Sequence, residues 1–348
     1  MAIPGSNPVR CKPFLAAKGS EVVFVLDSSE EKRDAITWAY RLFLDRNPES
    51  DAAVTDLLGS ADTRRLRNIF LTSAEFAGRS AGEAAPPATV PLDHPANRVD
   101  VHLDRARGER LRKHVASTWT QLGNEAPHWS VLSDEAFRPD RIADSEADFY
   151  ASGEQDVTLI EAILARHGIA PADTPRCFEF GCGLGRVTVP LAARFSHVTG
   201  CDISTSHLAL AQRRITALGV PNIRLVHATA DDLGMAEPFD LWFSRIVLQH
   251  NPPPVMRAIL DRAFALLAPG GVAIFQVPTY AEGYAFKIEP YLAGIAAHEG
   301  VEMHCLPQAE IFAAAGQAGL VPIEVREEFS AGPSRYWISN MFVFRRLR

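Results

Sequence analysis

The stretch Cys177-Phe178-Glu179-Phe180-Gly181-Cys182-Gly183-Leu184-Gly185-Arg186 decides how this chain is read. A buried strand runs into glycines at alternate positions, and a helix is predicted directly after them. Glycines are needed where the backbone turns sharply and a ligand must touch it. The next strand ends in Asp202, 21 positions after Gly181. A carboxylate at the tip of a second strand can accept both hydroxyls of a ribose. A single glycine would read as an ordinary turn with a capping aspartate. Three glycines, the strand before them and an acid at this distance read as a nucleoside site. The dinucleotide fingerprint is G-x-G-x-x-G, but here Gly185 comes one position early and Arg186 takes the last place. The wider loop suits a ligand without a pyrophosphate.

Outward from the loop, short β-branched runs alternate with helical stretches of about 10–15 residues, the pattern of a parallel sheet with crossover helices. Strands are predicted at 177–180, 198–201, 223–227, 241–244, 272–276, 323–326 and 338–344. Upstream, helices are predicted at 30–46, 51–58, 63–71, 99–123 and 157–169. Ser28 or Ser29 can cap the first, and Asn47-Pro48 ends it. Residues 124–150 read as turns carrying Trp129, Phe137 and Phe149. The implied organisation is a tail over 1–20, a small helical module over 21–81 and a Pro/Ala-rich linker over 82–98. A helical connecting region over 99–150 and an α/β domain over 151–348 follow.

On the glycine loop and Asp202, the chain resembles the class I S-adenosylmethionine-dependent methyltransferases. The resemblance implies an α/β fold with a Rossmann-like seven-stranded methyltransferase sheet and crossover helices, and S-adenosyl-L-methionine as cofactor. It implies that Glu179, Gly181, Gly183 and Gly185 line the methionine part, that Asp202 holds the ribose and that Ile203 lies beside the adenine. Leu225-Val226-His227-Ala228-Thr229-Ala230-Asp231-Asp232-Leu233 matches the region at the adenine edge. The family often has aspartate where Thr229 stands, so the adenine contact passes to the Ala230 backbone or to Asp231. Phe239-Asp240-Leu241-Trp242-Phe243-Ser244 matches the fourth strand, with Ser244 counted among the cofactor-binding residues. Leu267-Ala268-Pro269-Gly270-Gly271 matches the turn into the fifth strand, and the match runs from Tyr150 to Arg348.

His250 follows the fourth strand, where ligands of open α/β sheets bind and where a methyl acceptor would approach. It reads either as a general base that takes a hydroxyl proton or as a residue that orders the next helix. Asn251-Pro252-Pro253 resembles the Asn-Pro-Pro of amino-methylating enzymes on bases, but Pro254 replaces the stacking aromatic. Asn251 is therefore predicted as a helix N-cap with Pro252 at the first helical position. A lid is expected after the fifth strand, its aromatics Tyr280, Tyr284, Phe286 and Tyr291 either walling an acceptor pocket or packing the lid down. Glu302, His304 and Cys305 fit no metal motif, and His304 is the second candidate base. Pro307 opens a further helix that Gly319 closes.

The 348 residues carry a net charge of −7, which argues against bulk nucleic-acid binding. The basic run Arg105, Arg107, Arg110, Arg112, Lys113 is interleaved with Asp104 and Glu109 and reads as a solvated helix face. Five scattered cysteines without a CxxC pair read as a reducing compartment and no zinc ribbon. With no bilayer-length apolar run and no signal-like N-terminus, the expectation is cytoplasmic. Tyr40–Glu49 with Ser73-Ala74-Glu75-Phe76 resembles a bacterial helical module often joined to glycosyltransferases and methyltransferases of surface-glycan pathways. That resemblance implies a glycan-type acceptor; the plainer alternative is a scaffold helix pair that packs on the catalytic domain or mediates self-association. The expected reaction is O-methylation of a sugar, glycan or other small hydroxylated acceptor. The alternatives are a cofactor-binding module without turnover and a dinucleotide oxidoreductase.

Overall fold

The computed structural model describes residues 28–76 except 45, 61–62 and 74, and residues 94–348 except 230–231, 299 and 330–336. The chain divides into two units, 1–88 and 89–348. The expected tail over 1–20 and most of the expected linker lie outside the described residues.

In the first unit, helices α1 (Ser29–Leu44), α2 (Asp51–Leu57) and α3 (Thr63–Leu71) enclose Ile36, Ala39, Leu44, Val54, Leu66 and Phe70. Ser28 and Glu31 cap α1 reciprocally: Glu31 N–H donates to Ser28 Oγ, and Ser28 N–H donates to Glu31 Oε2, both at 3.1 Å. Arg46, just past α1, clamps Glu75 through two bonds of 2.7 and 2.6 Å.

The second unit holds a seven-stranded sheet of β1 (Arg176–Phe180), β2 (His197–Asp202), β3 (Ile223–His227), β4 (Phe239–Ser244), β5 (Leu267–Ala281), β6 (Leu320–Glu328) and β7 (Trp337–Arg346). The strand order is β3-β2-β1-β4-β5-β7-β6. The first five are parallel, and β7 runs antiparallel between β5 and β6. All seven predicted strands are present. β5 runs well past both predicted ends because Leu267 already pairs with Phe239 of β4 and its later residues continue to pair with β7. Side chains alternate between faces. Trp242, Phe275, Phe342 and Phe344 pack on one side with Phe264, while Phe243, Ile274 and Val343 pack on the other with Ile160, Leu164 and Leu191.

Helices α4 (Arg105–Glu125), α5 (Pro127–Val131), α6 (Ile142–Ala151) and α7 (Gly153–Arg166) precede the sheet within this unit. The segment expected to be turns thus forms two helices. Asp104 caps α4 by accepting from Arg107 N–H at 2.8 Å. After β1 the predicted helix is cut down to turns and the short α8 (Thr188–Leu191); α9 (Thr205–Leu218) follows β2, capped by Ser204 and closed by Gly219 at φ 65°. Helices α10 (Pro253–Leu266), α11 (Ile288–Gly294) and α12 (Gln308–Gln317) complete the unit.

The predicted cap of α10 is corrected. The helix starts at Pro253 behind Pro252, and Asn251 turns back instead. Its Nδ2 donates to the Val247 carbonyl at 3.0 Å, closing the turn after β4. Arg98–Val99 forms a short parallel pair with Ala285–Phe286, so the predicted helix over 99–123 begins only at Arg105.

Candidate functional site

Strand β1 has β2 on one side and β4 on the other, and the chain winds away from it in both directions. That switch point opens a crevice at the carboxyl ends of the strands. A cleft of about 1100 Å³, open solvent at its mouth included, lies there. Its floor is the glycine loop with Glu179. One wall is Asp202, Ile203, Ala228, Thr229 and Leu233; the other is Arg245 to Val247 with His250. The cap helices close it, with Arg112, Val115 and Trp119 on one face of α4 and Ser130 and Val131 from α5.

The loop geometry explains its glycines. Gly181 and Gly183 have φ of 80° and 51°, a region costly for residues with a Cβ. A Cβ on Gly181 would collide with the Val247 side chain, and one on Gly183 would lie 2.9 Å from Val131 Cγ2. The missing side chains thus let the wall at Val247 and the cap at Val131 close on the loop. Gly185 also has positive φ, but it faces Ala211 and Val189 and does not line the cleft. Ser244 is likewise structural here: buried, it donates from Oγ to the Phe180 carbonyl at 3.0 Å and ties the tips of β4 and β1 together. Ala230 and Asp231 lie outside the described residues.

Asp202 accepts from Gly183 N–H through Oδ2 and from Ser204 N–H through Oδ1, both at 2.8 Å. A carboxylate offers about four lone-pair positions, so two remain for hydroxyl donors. His207 stands 4.0 Å from Oδ1 and bonds Ser130 Oγ at 3.0 Å, linking α9 to the cap; burial lowers its pKa. Glu179 is buried against Thr188 Oγ1 at 2.5 Å, and burial pushes its carboxyl up to about 8.

Sequence reasoning missed a charged group beside this carboxylate. Asp156 of α7, buried, takes Arg186 Nη2 at 2.6 Å and Arg245 Nη1. All three line the cleft. Arg186 Nε is buried without a hydrogen-bond partner. An orphaned buried donor is costly, so it fits a cleft that receives an anionic group such as an amino-acid carboxylate. Asp156 carried no sequence signal, because nothing in a helix pattern marks one acid as the partner of two distant arginines. The residues present fit S-adenosylmethionine: a carboxylate with acceptor positions to spare, an apolar slot of Ile203, Ala228 and Leu233, and a guanidinium donor.

Beyond β4 the backbone is strained. Ile246 has φ 58°, a conformation that costs a β-branched residue roughly 1–3 kcal/mol. Such strain concentrates at functional sites. His250 sits on a short turn in the cleft wall, 5.2 Å between ring centres from Trp119. Its Nδ1 lies 2.9 Å from the Glu302 carbonyl, and burial lowers its pKa to about 4.

His304 is not in the cleft wall. It is buried, with Nδ1 2.9 Å from Tyr284 OH and the rings of Phe286 and Tyr291 around it. The expected lid aromatics Tyr284, Phe286 and Tyr291 therefore pack the segment down instead of lining the acceptor space. Glu302 gathers this region, accepting from Tyr291 OH at 2.5 Å and lying 2.9 Å from His298 Nδ1. Burial pushes its carboxyl up, but His304, with Nε2 3.8 Å away, then Tyr291 OH and His298 outweigh it and hold the carboxyl low, at about 2. Among the described residues no group of three or more His, Cys, Asp or Glu is placed to hold a metal ion. The basic face of α4 is corrected in one residue: Arg105, Arg107, Arg110 and Lys113 are exposed, but Arg112 lines the cleft.

A family profile described as a methyltransferase domain matches residues 178–271. The release factor glutamine methyltransferase of Chlorobaculum tepidum is 33% identical over 228 residues, 59% of this chain and 76% of that protein. The ubiquinone biosynthesis O-methyltransferase of Psychrobacter cryohalolentis is 27% identical over 192 residues, 54% of this chain and 69% of that protein. A crystal structure of the magnesium protoporphyrin IX methyltransferase of Synechocystis PCC 6803 with bound SAH has 19% identity and a TM-score of 0.47, covering 67% of this chain and 99% of that one. The chain belongs to the S-adenosylmethionine-dependent methyltransferases. That membership sets aside the dinucleotide oxidoreductase alternative. No helix among the described residues is long and apolar enough to cross a membrane.

Proposed function

We propose that the protein transfers a methyl group to a hydroxyl of a small acceptor, a sugar or glycan unit foremost, bound in the cleft beside Trp119 and His250. His250 carries this reading: it is neutral above pH 5, stands beyond β4 and lines the same cleft as the glycine loop. The sugar assignment draws on the flat Trp119 face and on the first unit, which resembles modules joined to glycan-modifying enzymes. The relative in ubiquinone biosynthesis, an O-methyltransferase by name, supports oxygen as the acceptor atom.

S-adenosylmethionine supplies the activated methyl group when bound. Gly181 and Gly183 would bring backbone against its amino-acid part, and Arg186 would supply a donor for its carboxylate, with Glu179 lining the same cleft. Asp202 would hold the ribose, and Ile203 would flank the adenine. The cap helices exclude water and hold the acceptor oxygen in line, which is where most of the rate is gained. As the new bond forms, His250 Nε2, on opening its 3.3 Å contact with the Gln249 amide, would take the hydroxyl proton.

The test is transfer of labelled methyl from S-adenosylmethionine to a panel of sugars and sugar nucleotides beside their deoxy and amino counterparts. Label on the hydroxylated members is the expected result. Label on the amino members alone overturns the oxygen assignment.

A further inference from the structure

His207, in the first turn of α9, lines the cleft beside Asp202 and is buried. Its two ring nitrogens face different neighbours. Nε2 lies 3.0 Å from Ser130 Oγ of α5. That hydroxyl gives its one proton to the Pro127 carbonyl at 2.9 Å, so toward the ring it accepts. The Pro127 carbonyl, the other group on this side, can only accept. Both neighbours therefore place the ring proton on Nε2. Burial outweighs the pull of Asp202 and lowers the pKa, so the ring is neutral at pH 7 and Nδ1 carries a lone pair. Nδ1 stands 4.0 Å from Asp202 Oδ1, past hydrogen-bond distance, and no donor among the described residues is bonded to it. Two acceptors thus face one another at the ribose end of the cleft, an arrangement that is unfavourable until hydroxyl donors come between them. The cap seats closely on this corner: a Cβ on Gly123 of α4 would lie 2.4 Å from the Oγ of both Ser204 and Ser206 and 3.3 Å from His207 Cε1.

We infer that His207 completes the ribose site: its Nδ1 accepts one hydroxyl of the S-adenosylmethionine ribose while Asp202 accepts the other, and its Nε2–H holds the cap at Ser130. The inference rests on the reading of Asp202 as the ribose acceptor and makes no use of the methyl acceptor. One imidazole thus spends one nitrogen on the cap and offers the other to the cofactor. A residue that only fastened the cap would need Nε2 alone. Glutamine could then replace it, because the side-chain amide reaches about as far and donates there.

The test is calorimetry of S-adenosylhomocysteine and its 2′-deoxy and 3′-deoxy counterparts with the full chain and with His207→Gln, which keeps a donor for Ser130 and removes Nδ1. The unmodified protein should bind each deoxy ligand roughly threefold or more weakly than S-adenosylhomocysteine, the effect of one lost hydrogen bond. In His207→Gln one of the two penalties vanishes, because the missing hydroxyl no longer has a partner to lose, and the other remains. Both penalties unchanged in the folded variant overturn the role of His207. Equal binding of all three ligands by the unmodified protein overturns the ribose reading of Asp202 itself, so the two failures are read apart. If His207→Gln does not fold, the unmodified chain labelled with ¹⁵N-histidine carries the test, with His207 assigned by the proximity of its Cε1–H to Gly123. The signal of an unprotonated Nδ1 should move on adding S-adenosylhomocysteine and stay put with the deoxy ligand that lacks its hydroxyl. A proton on Nδ1, or a signal that ignores all three ligands, overturns the inference.

Discussion

Replacing His250 with alanine distinguishes a proton acceptor from a residue that only orders a turn. Burial pushes the imidazole from 6.5 down to about 4. A base this weak sits below the pKa at which general-base efficiency peaks. His250→Ala should therefore cost about 10²-fold in kcat, the lower end of the ~10²–10⁴ range for a positioned base. Cofactor affinity, set by the other end of the cleft, should hardly move. An unperturbed histidine would place the rate limb near 6.5; here kcat should rise through about pH 4 and stay level above about pH 5 as far as this group is concerned. The same shift acts on stability. The folded value lies below the unfolded one, so the unfolded chain binds more protons between pH 6.5 and 4. Stability present above pH 6.5 is lost as pH falls through that window, by roughly 3 kcal/mol in all. The profile must then be taken where circular dichroism shows folded protein. Single-turnover transfer of labelled methyl from pH 4 to 8, in parent and variant, is the assay. A fall of less than about threefold is too small for a general base. That result, or a limb that survives in His250→Ala, refutes the proton-accepting role. It leaves His250 as the tie between the turn at Leu248–His250 and the Glu302 carbonyl, an account that predicts a lowered Tm instead.

The remaining predictions concern the cofactor end of the cleft and the two units. Asp202→Ala strips the acceptor from Gly183 and Ser204 and from any ribose, and calorimetry should show S-adenosylhomocysteine affinity down roughly tenfold or more. Gly183→Ala should weaken binding too, since φ 51° and Val131 both oppose a Cβ; parent-like affinity in the two variants would sink the site assignment. Removing residues 1–88 should leave cofactor binding intact, because every residue of the cleft lies in the second unit; failure of 89–348 to fold would join the two units in one core. Glu179, raised to about 8 by burial, binds a proton in the folded state that the unfolded chain releases near 4.5. Stability should thus fall as pH rises from 4.5 toward 8, by roughly 4 kcal/mol, and urea titrations of Glu179→Gln should lack that slope.

Much of this was legible in the sequence because it is local. The glycine loop, Asp202 and each of the seven strands announce themselves through neighbours a few residues away. What escaped depends on distant partners. Arg112, Val115 and Trp119 share a face of α4, but the interleaved charges of that helix gave no sign that this face roofs a cleft. Asp156 looks like one more surface acid until Arg186 and Arg245 arrive from opposite sides of the switch point. Asn251 obeyed the statistics of caps on paper, yet the carbonyl of Val247, four residues back, was the better partner once Ile246 bent the chain. Ser244 and Gly185 sit in the right motif with the wrong outlook, because a motif specifies order along the chain and not which way a side chain points.

The place of β7 has a consequence for how the protein comes into being during synthesis. This strand lies between β5 and β6 although it follows both in the chain. Until residue 346 has been made, β5 presents an unpaired edge along nine register positions, from Val272 to Ala281. That edge carries Phe275, whose ring in the finished protein stacks on Phe342 and Phe344. An apolar strand with free backbone donors and acceptors is a template for wrong pairing, between nascent chains or with any other strand nearby. The parallel half of the sheet, glycine loop included, can assemble earlier, so a ligand that grips the loop would hold a half-built sheet while the tail is still being added. Expression yield, more than the Tm of the purified protein, should then respond to changes in 337–346.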